Sequence, residues 1–127
     1  VANYSIKSNS HHEVRLYIGS REHYNGQRFG RDELIAAVTE FQRQNTLELA
    51  GPLRFTPTCY VWDDYIEDGW EIAIINYPRY PKPEAVLNSF MLRLADYLLY
   101  RFRQNRISVV FPNEIVMLQS HDAQERS

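Results

Sequence analysis

Cys59 is the only cysteine in 127 residues, which rules out an internal disulfide and a thiolate-cluster zinc site. A single thiol fits a reducing, cytoplasmic setting. An excess of charge of one sign is also missing: 14 Lys plus Arg stand against 16 Asp plus Glu, a formal net charge of −2. Such a balance exerts no global pull on nucleic acid or anionic lipid, so a role of that kind requires a local patch. Nowhere do about 18 apolar residues run together, so no conventional membrane span is expected. The start, Val1-Ala2 onward, lacks the basic-then-apolar pattern of a secretion signal. Glycine is sparse. Gly26 and Gly30 are followed by neither a Lys-Ser/Thr pair nor a third glycine, so no phosphate-loop or dinucleotide fingerprint forms.

Aromatic residues, by contrast, are plentiful, with 9 Tyr, 6 Phe and 2 Trp, which suits a packed sheet or an adhesive surface. Residues 1–12 and 120–127 read as polar tails around a single domain over 13–119. Val14, Leu16 and Ile18 alternate with Arg15 and Tyr17, the pattern of a half-buried strand. Asp32 is placed to cap a helix from Glu33 to about Asn45, with Leu34, Ile35, Val38 and Phe41 on one face. Leu53 to Trp62 and Trp70 to Tyr77 read as strands around the acidic segment Asp63–Gly69, whose Asp-Gly step is a hairpin signal; these strands bury Cys59. Pro83 suits the entry of the longest helix, Glu84 to about Asn105, and its apolar stripe runs from Leu87 to Phe102. Ile107 to Phe111 is a further strand, and Ile115 to Leu118 is a candidate extra one at the C-terminal side. The expected fold is α+β: a ferredoxin-like βαββαβ antiparallel sheet with two helices on one face.

In this scheme the first and third strands are taken as parallel neighbours, so the segments leaving them, Gly19–Arg31 and Asn76–Pro83, share one end of the sheet. Arg21, Tyr24, Arg28, Arg31, Tyr77, Arg79, Tyr80 and Lys82 would then line a basic rim at two helix N-termini. That rim suits a small anionic ligand, a nucleotide or phosphorylated metabolite. The acidic segment Asp63, Asp64, Glu67 and Asp68 is expected at the other end, as a solvated turn that misses the calcium-loop spacing. His11 and His12 read as surface residues, since neighbours on extended chain point opposite ways. No nucleophile–base pair and no metal-ligand set stands out, so the chain reads as a binding protein first, with an enzyme built on the same rim, a hydrolase or isomerase, as a further alternative.

Tyr60, Trp62, Ile66, Glu67, Glu71, Ile74 and Ile75 form a window that resembles the central hairpin of the CutA divalent-cation tolerance family. The order of elements is similar to the wider PII-like group of ferredoxin-like proteins. The resemblance implies a homo-oligomer, a trimer with sheets edge to edge, that binds a small ligand at subunit clefts. The cofactor stays open. Nucleic-acid binding through the exposed sheet and a purely structural or interaction subunit are the alternatives.

Overall fold

The computed structural model describes residues 3–23, 26–46 and 50–121. They form seven elements, β1 (Glu13–Gly19), α1 (Arg31–Gln44), β2 (Arg54–Trp62), β3 (Tyr65–Ile75), α2 (Glu84–Arg101), β4 (Arg106–Val110) and β5 (Ile115–Gln119). The strands make one sheet in the order β2-β3-β1-β4-β5, and every neighbouring pair is antiparallel. This is an α+β fold of ferredoxin-like arrangement, with β5 added beside β4. No helix among the described residues is long and apolar enough to cross a membrane.

Alternation decides which face of the sheet is covered. Val14, Leu16 and Ile18 of β1 are buried together with Ile72, Ile74, Ile107 and Val109 on one face. Leu34, Val38 and Phe41 of α1 and Leu87, Phe90, Leu94 and Leu98 of α2 close over that face in the same core. Their spacing of three and four residues turns one stripe of each helix inward. Among the described residues no helix packs on the opposite face, where β1 presents Arg15 and Tyr17.

Several boundaries depart from the sequence expectation. Gly30, not Asp32, precedes α1, because the Glu33 carboxylate reaches back to accept the Gly30 N–H at 3.3 Å, and the helix starts at Arg31, two residues before the expected Glu33. Helix α2 stops at Arg101 rather than near Asn105. Arg103 turns left-handed at φ 48°, and the Gln104 N–H folds back onto the Leu99 carbonyl at 2.8 Å. The acidic segment is mostly strand: the register pairs Trp62 with Tyr65, so only Asp63 and Asp64 turn, with Asp63 at φ 55°. The hairpin therefore runs past the core, and Cys59 is exposed rather than buried. His12 is buried, not on the surface, and its Nε2 lies 2.8 Å from the Asn88 side-chain oxygen.

The largest correction concerns β1 and β3, which are antiparallel neighbours with Glu13 opposite Ile75 and Gly19 opposite Gly69. The crossover through α1 makes β2 parallel to β1, and the tight turn at Asp63-Asp64 then sends β3 back between them. Consequently the Gly19–Arg31 segment leaves one end of the sheet and Asn76–Pro83 leaves the other, roughly 20 Å away at strand rise. The acidic half of the hairpin shares the end with Gly19–Arg31. Ser20 donates its N–H to the Asp68 carbonyl at 3.1 Å, and Arg28 Nη2 sits 3.3 Å from an Asp68 carboxylate oxygen.

Candidate functional site

The antiparallel register divides the expected basic rim into two groups that do not meet. At the Gly19 end, Arg21 and Arg28 pair across a small bridge, and Arg28 is engaged by Asp68. Arg31 is exposed and ion-paired with Asp32 at 3.4 Å, while Tyr24 lies outside the described residues. At the far end, Tyr77 packs against the core instead of walling a pocket, and Arg79 lies over the ring of exposed Tyr80 at 5.2 Å. Lys82 is tied by its backbone: its N–H donates to the Asn76 side-chain oxygen at 3.0 Å, and its carbonyl accepts from the Asn76 amide at 2.9 Å.

What the register does assemble is a hollow on the helix-free face, at the Gly19 end. It has a volume of about 240 Å³, and Tyr17, Gly19, Tyr60, Glu67, Asn105 and Ser108 are among the residues that line it. Strand pairing explains the grouping. Tyr17 stands opposite Glu71 on β3 and Ser108 on β4, and Tyr60 stands opposite Glu67 across the hairpin. A residue at every second position of four strands thus faces one place.

Each polar group there is positioned. Tyr17 donates its hydroxyl to a Glu71 carboxylate oxygen at 2.7 Å, and Tyr65 donates to Glu67 Oε2 at 3.2 Å. The Tyr17 and Tyr60 rings meet edge to face, 6.3 Å between centroids. Gly19 leaves room for the acid: a Cβ at that position would run into Glu67 Oε1. Gln104 closes the floor, accepting the Gly19 N–H at 3.3 Å and donating to the Arg21 and Phe102 carbonyls at 2.7 and 3.1 Å. His23 Nδ1 lies 2.8 Å from Asn105 Oδ1. That contact uses one end of the Asn105 amide and leaves its buried Nδ2 without a partner among the described residues. A buried donor without a partner is costly, and a bound molecule is one means of satisfying it.

Electrostatics give the hollow its character. Burial, first, and then the neighbouring Glu71 push the Tyr17 hydroxyl above the ordinary tyrosine value. Burial likewise raises Tyr60, with Glu71 and Glu67 adding to the shift. Both hydroxyls therefore stay neutral and serve as hydrogen-bond donors beside two carboxylates. Arg15 stands 3.9 Å from Glu71, so one acid is partly balanced, and Glu67 accepts from the Tyr65 hydroxyl. Arg106 also lines the hollow, and the Glu67 carboxylate and the tyrosine ring faces are the groups there that attract a cation. Among the described residues no three His, Cys, Asp or Glu side chains converge to hold a metal ion.

Sequence patterning alone missed Tyr17, Gln104 and Asn105. Tyr60, Glu67 and Glu71 lay in the window that carries the CutA resemblance, though nothing there indicated that the first two face one hollow or that Glu71 holds Tyr17 beside them. The signal was their placement on the polar side of alternating strands.

No protein-family model matches the chain, and no curated protein matches it. Among solved structures it is similar to a phage SAM lyase in complex with S-methyl-5'-thioadenosine, with a TM-score of 0.64 and 13% identity, over 94% of this chain and 97% of that one. The phage SAM lyase in its apo state matches with the same TM-score and identity, over 87% of this chain and 90% of that one. At this identity the likeness establishes a shared fold.

Proposed function

We propose that this protein binds a sulfonium nucleoside of the S-adenosylmethionine type in the Glu67 hollow and cleaves it as a lyase. The observation that carries the reading is the clustering of Glu67, Tyr17 and Tyr60 around one small hollow on the helix-free face. The fold shared with a lyase for that compound supports it. Sulfur in such a substrate bears a positive charge, which a carboxylate and aromatic faces stabilise. Cleavage without water or a redox partner balances when the substrate's own carboxylate oxygen attacks the γ-carbon. The carbon–sulfur pair leaves with sulfur, a neutral thioether departs, and a cyclic ester remains. The role of Glu67 is to hold the sulfonium centre, and the Tyr60 hydroxyl and the Asn105 amide are donors for the nucleoside, while the Tyr17 ring walls the hollow. Small-ligand binding is kept from the sequence expectation, and catalysis is added to it. The ligand changes from an anion to a cation, and the site moves from the loops to the sheet.

Incubation with S-adenosylmethionine, followed by chromatography, tests this. S-methyl-5'-thioadenosine is expected to accumulate, and Glu67→Gln is expected to slow its release by about 100-fold or more with the fold retained. Absence of the product, or an unaltered rate in the variant, contradicts the assignment.

A homo-oligomer in the cytoplasm belongs to the same proposal. Val61, Trp62 and Ile66 are 68%, 82% and 67% exposed on the projecting hairpin, uncovered among the described residues. The two open edges, β2 and β5, are different surfaces, and β5 exposes Ile115 and Met117. Unlike edges that pair head to tail form a ring where the rotation closes, and the trimer implied by the CutA resemblance is such a ring.

A further inference from the structure

The helix side of the Gly19 end holds a second cavity, of about 490 Å³, which shares no lining residue with the first. Phe29, Pro57 and Trp70 form its apolar walls, and Ser20, Arg28 and Gly30 supply polar groups. Gly30 caps a helix of 14 residues and has no side chain to close it. The first helical bond is Leu34 N–H to the Gly30 carbonyl at 3.1 Å, so the N–H groups of Arg31, Asp32 and Glu33 precede the ladder. No side chain caps them. That end carries the positive pole of the helix dipole.

Ser20 gives a second, independent indication. It is only 7% exposed, and its backbone is fully used, by the Asp68 carbonyl and the Phe29 N–H. Its hydroxyl has no partner among the described residues. The acids nearby are already engaged. Asp68, which also lines the cavity, is held by Arg28, Asp32 by Arg31, and Glu33 by the Gly30 N–H. Arg28 keeps further donors beyond the one turned to Asp68.

We propose that this cavity is an oxyanion site. It takes a phosphate or carboxylate group borne on an apolar body, with the charged group between Gly30, Ser20 and Arg28 and the body against Phe29, Pro57 and Trp70. Of the basic residues expected at a shared rim, Arg28 thus has a site of its own, on one side only and independent of the far segment.

Amide-resolved NMR titrations with phenyl phosphate, benzoate and inorganic phosphate, at matched ionic strength, test the site. Saturable shifts are expected at Ser20, Gly30 and Arg31, with phenyl phosphate binding more tightly than inorganic phosphate. Arg28→Gln is expected to weaken phenyl phosphate about tenfold, and Ser20→Ala by a smaller factor. Lack of saturation with all three probes overturns the proposal. So does equal affinity for the two phosphates, or an undiminished affinity in Arg28→Gln.

Discussion

Tyr17 and Tyr60 are the residues whose chemistry the fold alters most. Burial and nearby acids hold both hydroxyls above the usual tyrosine value, so the folded state favours the protonated form. The sign follows from linkage: the unfolded chain loses these protons first, at about pH 10. Stability from the pair is full below that pH and is lost as pH climbs toward their folded values. Ultraviolet titration is expected to show a late-ionising fraction of tyrosine that shrinks in Tyr17→Phe and Tyr60→Phe. An unchanged titration in both variants would remove the burial argument. Neither role was legible from the sequence. Tyr17 could be read only as the polar side of a strand, because its partners Glu71 and Ser108 lie 54 and 91 positions away (71 − 17 and 108 − 17). Glycine at 19 carries a comparable consequence. Gly19→Ala is expected to displace the Glu67 carboxylate, a flexible group, and so to impair ligand binding while costing little stability.

At the scale of elements, periodicity carried most of the information. The stripe of α2 and the alternation of β1 both bury as their spacing requires, because each element has a single covered face. Leu94→Ala, which removes a side chain fully buried in the core, is expected to destabilise the fold by about 2–5 kcal/mol in denaturant melts. The hairpin was harder to read. Its Asp68-Gly69 step looked like the turn, yet Gly69 lies within β3, where a Cβ would come within 2.5 Å of the Ile18 carbonyl oxygen. Glycine there serves close approach of two strands rather than chain reversal. Gly69→Ala is accordingly expected to cost about 1–3 kcal/mol, since the neighbour is backbone and cannot step aside. A neutral outcome in the same melts would mean that β1 and β3 can part at that point.

For the whole molecule, strand direction proved decisive. Element order was readable, and it gave the ferredoxin-like plan, but the sense of β1 against β3 follows from the crossover and the hairpin taken together. Taking them as parallel joins two basic segments that the antiparallel sheet holds apart. That face now carries the proposed nucleoside site, and the projecting hairpin carries the proposed self-association. Light scattering on the purified protein is expected to give a multimer, and Trp62→Glu with Ile66→Lys a monomer. A monomeric parent protein would detach oligomerisation from the proposal. The most direct measurement of the site itself is an amide-resolved NMR titration with S-methyl-5'-thioadenosine. Saturable shifts centred on Tyr17, Gly19, Glu67, Asn105 and Ser108, lost in Glu67→Gln, are expected. Shifts confined to Asn76–Pro83, or none at all, would contradict a nucleoside site on the open sheet.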